Sequence, residues 1–326
     1  MSDSGGTFAG MRPMPQSPFL DDTAPVPLDR PFSSAEARAW GVNRRVLSRW
    51  VRDGLLIHPI QGVHHVAQLQ DSLELRIACL RLVVPSDSVV TDRTAAWLLG
   101  APMALAPGDH LVVPRVSLFR PPGYRLRNSL AASGERTLAA DEVTTVGGVR
   151  VTTAVRTACD LGRLLHRDQA LAAMDAMMRA GSFSSSELLD STRRFRGYRG
   201  IRQLRSLAPI VDGRAQSPGE SILRLRWIDC GLPTPTPQLR VEAPSGFYFL
   251  DLAVPDLRYA AEYDGAQWHG PEQERHDATR RAWVVEALHY ECDVFRAANI
   301  HGPLQDADLR LRAGIARARR RFGRAA

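Results

Sequence analysis

The sequence has 326 residues, 44% of them hydrophobic and 24% charged, with a formal net charge of +7 and a pI near 9.8. That length suits about two domains or a few small ones. No apolar run of about eighteen residues is present, and no basic stretch followed by an apolar core opens the chain, so neither a transmembrane helix nor a secretory signal is expected. The expected compartment is the cytoplasm, with no membrane partner. All 42 basic residues are Arg, with no Lys. The guanidinium fork suits phosphate, so the basic excess points toward double-stranded DNA. The four cysteines, Cys79, Cys159, Cys230 and Cys292, have no CxxC spacing and read as reduced, mostly buried thiols. No GxGxxG, P-loop or nucleophile-elbow motif is present, which leaves little for a small-molecule enzyme.

Residues 1–30 are rich in Pro, Gly, Ser and Asp without a period, and read as a disordered tail. Residues 31–70 give the order of a winged helix-turn-helix. Ser33 and Glu36 form a capping box for a first helix, and Asn43 caps a second that stops near Gly54. Two strands then flank Gln61-Gly62. The second helix carries Arg44, Arg45, Ser48 and Arg49, expected to share a groove-facing side and to donate to DNA.

Residues 71–211 read as a mixed α/β middle domain. Strands are expected at "HLVVP", "YRLRN" and "VRVTT", and helices at "TAVRTACDLGRLL", "RDQALAAMDAMMRAG" and "SSSELLDSTRRF". Asp160 and Asp175 sit singly on helices and read as solvated or capping. The pieces "TDRTAAWLLG", "DHLVVP" and "VRVTTAVRTACDL" resemble the middle of AbiEi-type abortive-infection antitoxins, which follow the same winged helix. That resemblance implies a regulator with a toxin partner.

Residues 212–326 open with Ser217 as N-cap and Pro218 at the first helical position. The strands "FYFLDLAV" and "YAAEYDG" form an antiparallel hairpin through the loop "PDLR". An even loop sets Val254 opposite Tyr259 and therefore Asp251 opposite Glu262, with one face apolar and the other carrying Asp251, Glu262 and Asp264. Opposed like charges are unfavourable unless a cation or an Arg neutralises them. Mg²⁺ or Mn²⁺ is the expected ion, since hard cations take carboxylate oxygens. Glu220, three residues after Ser217, reads equally as part of a capping box or as a further ligand. The final helix carries seven Arg and reads as a DNA-channel element or a solvated tail.

The runs "SPGES", "CGLPTPTPQ", "FLDLAVPDLRYAAEYDGAQWH" and "HDATRRAWVVEAL" resemble very-short-patch-repair endonucleases of the PD-(D/E)XK nuclease fold. The resemblance implies that Asp251 and Glu262 hold the catalytic metal with Glu220 as the helix acid. It also implies that Asp264 stands where other members carry Lys. Gln267 or His269 could then orient the attacking water, and Arg280 could clamp a phosphate. The expectation is a multi-domain protein of mixed α/β (α+β) class. Its first expected function is metal-dependent DNA endonuclease, acting alone or with a repair partner; the alternative is an antitoxin-type transcriptional regulator whose nuclease-like domain is inactive.

Overall fold

The computed structural model describes residues 19–101, 112–124, 126, 129–181, 183–243, 246–265, 283–301 and 304–322. They form the mixed α/β, multi-domain class expected, with three sheets. No helix among them is long and apolar enough to cross a membrane.

The first body contains β1 (Phe32–Ser33), α1 (Ser34–Ala39), α2 (Arg44–Arg52), β2 (Leu56–Ile60) and β3 (Val63–Val66), with sheet order β1-β3-β2. The Ser33 N–H donates to Glu36 Oε2 at 2.8 Å and the Glu36 N–H to Ser33 Oγ at 3.1 Å, so the capping box closes both ways. The Val46 N–H donates to Asn43 Oδ1 at 3.1 Å and opens α2. Phe32, Ala37, Leu47, Leu56 and Val66 make the core. Residues 19–30 are not part of a tail: Val26 is buried in this core, with Leu20, Ala24 and Leu28 beside it.

The wing does not stand free. Ile60 and Val63 are buried in the same cluster as Leu80, Val90 and Leu118 of the middle body. The Gln61 N–H donates to the Pro114 carbonyl at 2.9 Å. Gly62, at φ +84°, makes the turn, and a Cβ there would meet Leu130 Cδ2 at 2.9 Å.

The middle body has a five-stranded sheet, order β6-β5-β4-β8-β7. Its strands are β4 (Val89–Val90), β5 (Val116–Arg120), β6 (Ala131–Glu135), β7 (Val143–Val146) and β8 (Val149–Thr152). Of the three strand readings, "VRVTT" is β8. Residues 112–114 of "HLVVP" are irregular, and β5 begins just after them. Helices α3 (Leu73–Arg81) and α4 (Asp92–Leu98) join this sheet, and α5 (Ala154–Leu164), α6 (Arg167–Arg179), α7 (Ser185–Ser191) and α8 (Ile201–Leu207) follow it. Ser184 caps α7, with Glu187 closing the box.

The C-terminal body begins with α9 (Pro218–Asp229), followed by β9 (Thr236–Ala243), β10 (Gly246–Val254), β11 (Tyr259–Tyr263), β12 (Glu291–Phe295), α10 (Ala297–Ile300) and α11 (Ala307–Phe322). Its sheet has order β12-β11-β10-β9 and is mixed, β11 and β12 being parallel. Leu252, Val254, Tyr259 and Ala261 pack under α9 and α11, while Ala253 and Ala260 face Val284 and Tyr290 on the other side. The final helix is a core element, not a tail. Leu311, Ile315 and Ala318 are buried, and a Cβ on Gly314 would run into Tyr259 Oη and Asp293 Oδ2. Asp175 on α6 is 1% exposed and pairs with Arg224 of α9 at 2.6 Å, so it ties two bodies together instead of being solvated.

Candidate functional site

Three groups of polar side chains stand out, one in each body. The first is α2. Arg44, Arg45, Ser48, Arg49 and Arg52 are all exposed. None of these arginines forms an ion pair among the described residues. The helical period, however, divides them. Arg44 and Ser48 line a cleft toward the middle body, with Leu47 and Val51 on the same side. Arg45, Arg49 and Arg52 fall outside that lining. The single groove-facing side expected from sequence is therefore two faces, and the second presents three guanidiniums with no carboxylate partner among the described residues.

The acidic hairpin has the register read from its loop: Val254 opposes Tyr259, Ala253 opposes Ala260 and Leu252 opposes Ala261. The ladder ends there. The Tyr263 N–H donates to the Asp251 carboxylate, Oδ2, at 2.8 Å, so a side chain takes a backbone donor at the next step. Gln238 has φ +51° in β9, a backbone state that costs energy for a residue with a Cβ. Its amide donates to Glu220 Oε2 at 2.9 Å and to Asp251 Oδ1 at 3.2 Å. The Glu220 carboxylate also accepts the Gln216 N–H at 2.9 Å, one residue before the cap. The two acids thus meet through a neutral amide. Glu262 is 3% exposed on β11.

Asp264 is not a free carboxylate at the site. Arg296 lies 3.0 Å from its Oδ2, the neutralisation by Arg that competes with a metal. Among the described residues, no three His, Cys, Asp or Glu side chains are placed to hold a metal ion. Among the described residues, the groups that bond to or pair with Glu220, Asp251 and Asp264 include the Gln238 amide, the Gln216 and Tyr263 N–H groups and the Arg296 guanidinium. Gln267, His269 and Arg280 lie outside the described residues.

The third group was missed from sequence. Asp160 on α5 is 0% exposed, and Arg136, Arg156 and Arg163 reach its carboxylate at 2.8, 2.9 and 2.8 Å. Arg136 also pairs with Asp92 at 3.0 Å, and Arg156 with Glu142. Three carboxylates therefore meet three guanidiniums. The guanidiniums also lie against rings: Arg136 is 4.0 Å from the Phe119 centroid and Arg156 5.1 Å from Phe195. The network joins the start of α4, the β6–β7 connection and α5. Of these parts, α4 and α5 carry "TDRTAAWLLG" and "VRVTTAVRTACDL".

Residues 88–210 match the model of the AbiEi antitoxin C-terminal domain. Two uncharacterized proteins of Mycobacterium tuberculosis, from two strains, are each 34% identical over 247 residues, covering 75% of this chain and 87% of theirs. The chain belongs to the family of these mycobacterial proteins. The antitoxin match encloses the whole ion network, from Asp92 to Arg163, and stops before α9. What separates this network from the sequence reading is distance along the chain: Arg136 is 24 residues from Asp160. The nearer spacings, Arg156 at i−4 and Arg163 at i+3, were the available signal.

Proposed function

We propose that this family member is a DNA-binding regulator of antitoxin type, acting in the cytoplasm with a toxin as protein partner. One observation carries the reading: an antitoxin-matched segment follows, after α3, a winged helix whose α2 presents exposed arginines without carboxylate partners among the described residues. Arg45, Arg49 and Arg52 engage the phosphates of duplex DNA, and α2 is the element that meets the major groove. The wing, docked on Pro114 and Leu130, stays with the middle body. In a salt series of duplex-binding titrations, Arg45→Ala/Arg49→Ala should weaken binding and lower the slope of log K against log salt by about two, one for each phosphate that a guanidinium no longer neutralises. An unchanged slope sinks the role of α2.

Metal-dependent cleavage is the second reading, and it belongs to a C-terminal body of PD-(D/E)XK type. What favours it is that the Val254–Tyr259 register sets Asp251 toward Glu262 while Gln238 brings Glu220 to Asp251. The amide between the acids and the Arg296 pair on Asp264 favour the regulator instead. Supercoiled plasmid incubated with the full chain and Mg²⁺ or Mn²⁺ is expected to stay as intact as with chelator. Metal-dependent nicking that Asp251→Asn abolishes would reverse the order of the two readings.

A further inference from the structure

The winged helix and the middle body leave a cleft of about 750 Å³ between them. That volume lies in the range of small-molecule sites, roughly 300–1,000 Å³. Its polar wall holds Arg38 of α1, Arg44 of α2 and His64 of β3. Its apolar wall holds Leu47 of α2 with Leu82 and Leu130 of the middle body. Among the described residues, no Asp or Glu lines it. Arg38 and Arg44 are exposed and form no ion pair among the described residues. The cleft is therefore electropositive along one side and greasy along the other.

His64 is a fixed part of the polar wall. It is 4% exposed, its ring stacks on His58 at 4.2 Å between centroids, and its Nε2 lies 3.1 Å from Ser34 Oγ. Its Nδ1 is buried with no hydrogen-bond partner among the described residues and is closed to water, so the ring meets the cleft as a packed surface.

We propose that this cleft binds a small amphipathic anion, a carboxylate carried on an apolar body of one or two rings. The carboxylate pairs with Arg38 and Arg44, which can meet it edge-on through two N–H groups each. The apolar body lies against Leu47, Leu82 and Leu130. Burial holds the His64 imidazole neutral near pH 7, so it adds no charge to this wall.

The consequence for DNA rests on the duplex reading given above; the cleft itself does not. Arg44 and Ser48 belong to α2, the helix that also carries Arg45, Arg49 and Arg52. An occupant wedges against the same helix from its other face, which couples the ligand to duplex affinity.

The test uses the full chain without DNA. The probe is 1-naphthoate, followed by calorimetry, with neutral 1-naphthamide as control. Saturable binding at one site is expected, about tenfold tighter for the carboxylate than for the amide. Val83→Trp fills the cleft from the middle-body side, away from α2, and should abolish binding. Arg38→Gln, at an exposed position where the fold does not depend on the side chain, should weaken binding about tenfold. Absence of saturable binding overturns the proposal. So does equal affinity for the amide, or naphthoate affinity that survives both substitutions unchanged. Because no DNA is in the cell, such a failure strikes the cleft alone and leaves the duplex reading standing.

Discussion

Asp160→Ala is expected to cost about 3–5 kcal/mol of folding free energy, measured by urea denaturation, because it strands buried guanidiniums. Arg163 suffers most. It is 8% exposed, Asp160 is its carboxylate partner, and what remains is a 3.3 Å bond to the Arg199 carbonyl and the faces of Phe195 and Tyr198. Arg136 keeps Asp92 and Arg156 keeps Glu142, which argues for the lower end of that range. A natural domain holds about 5–15 kcal/mol in total, so the loss takes a large part of it. Asp160→Ala/Arg163→Ala should recover some of the stability, since the double change removes the stranded charge together with its partner. A single-variant loss below about 1 kcal/mol would show that water reaches these arginines and that the network is ornamental to folding.

The same network explains what the sequence could and could not disclose. Local devices were legible. Ser33 with Glu36, Asn43, Ser217 with Pro218 and the four-residue loop after Val254 each fix their own element within a few residues, and each is where the spacing put it. Long-range pairing was not. Asp175 read as a surface acid because the arginine that buries it comes from elsewhere in the chain, Arg224 being 49 residues away, whereas Asp160 has Arg156 and Arg163 on its own helix and only Arg136 remote. With 42 arginines, composition cannot say which ones go inside. The same density hid the apolar stripe Leu311, Ile315 and Ala318, which makes the last helix part of the core.

The acidic hairpin is an intermediate case. Its register was written in the loop length, but its chemistry depends on Gln238, which no local signal marks. The Pro residues before it break the regular strand, yet the positive φ that aims its amide at Glu220 and Asp251 is a tertiary outcome. A face that looked like a cation site by residue type is, by geometry, bridged by an amide and flanked by Arg296. Residue type shows that charge must be compensated; the compensating group depends on which strand lies alongside.

Mild acid is expected to loosen the winged helix, and His64 is the reason. Burial first, then the neighbouring His58 and His65, push its pKa from 6.5 down to about 4. The unfolded chain therefore takes up this proton before the folded one does. Stability is fully present above pH 6.5 and is lost as the pH falls toward 4. At about 1.4 kcal/mol per pH unit, the loss is about 2 kcal/mol between pH 6.5 and 5, and about 3 kcal/mol over the whole window. His58, also lowered by burial, acts with the same sign. The carboxylates of this body separate from the effect: Glu36 and Asp71 are held below their ordinary 4.5 and 3.8 by hydrogen bonds to Ser33 and Arg76, so they give way only at lower pH. Hydrogen exchange of the β1–β3 amides reads the change locally. In His64→Phe the stacking on His58 and Phe32 has a ring to replace it, and the titrating nitrogen is gone. That variant should hold its protection from pH 6.5 to 5, apart from the share due to His58. Equal acid sensitivity in both proteins would move the origin of the effect away from His64.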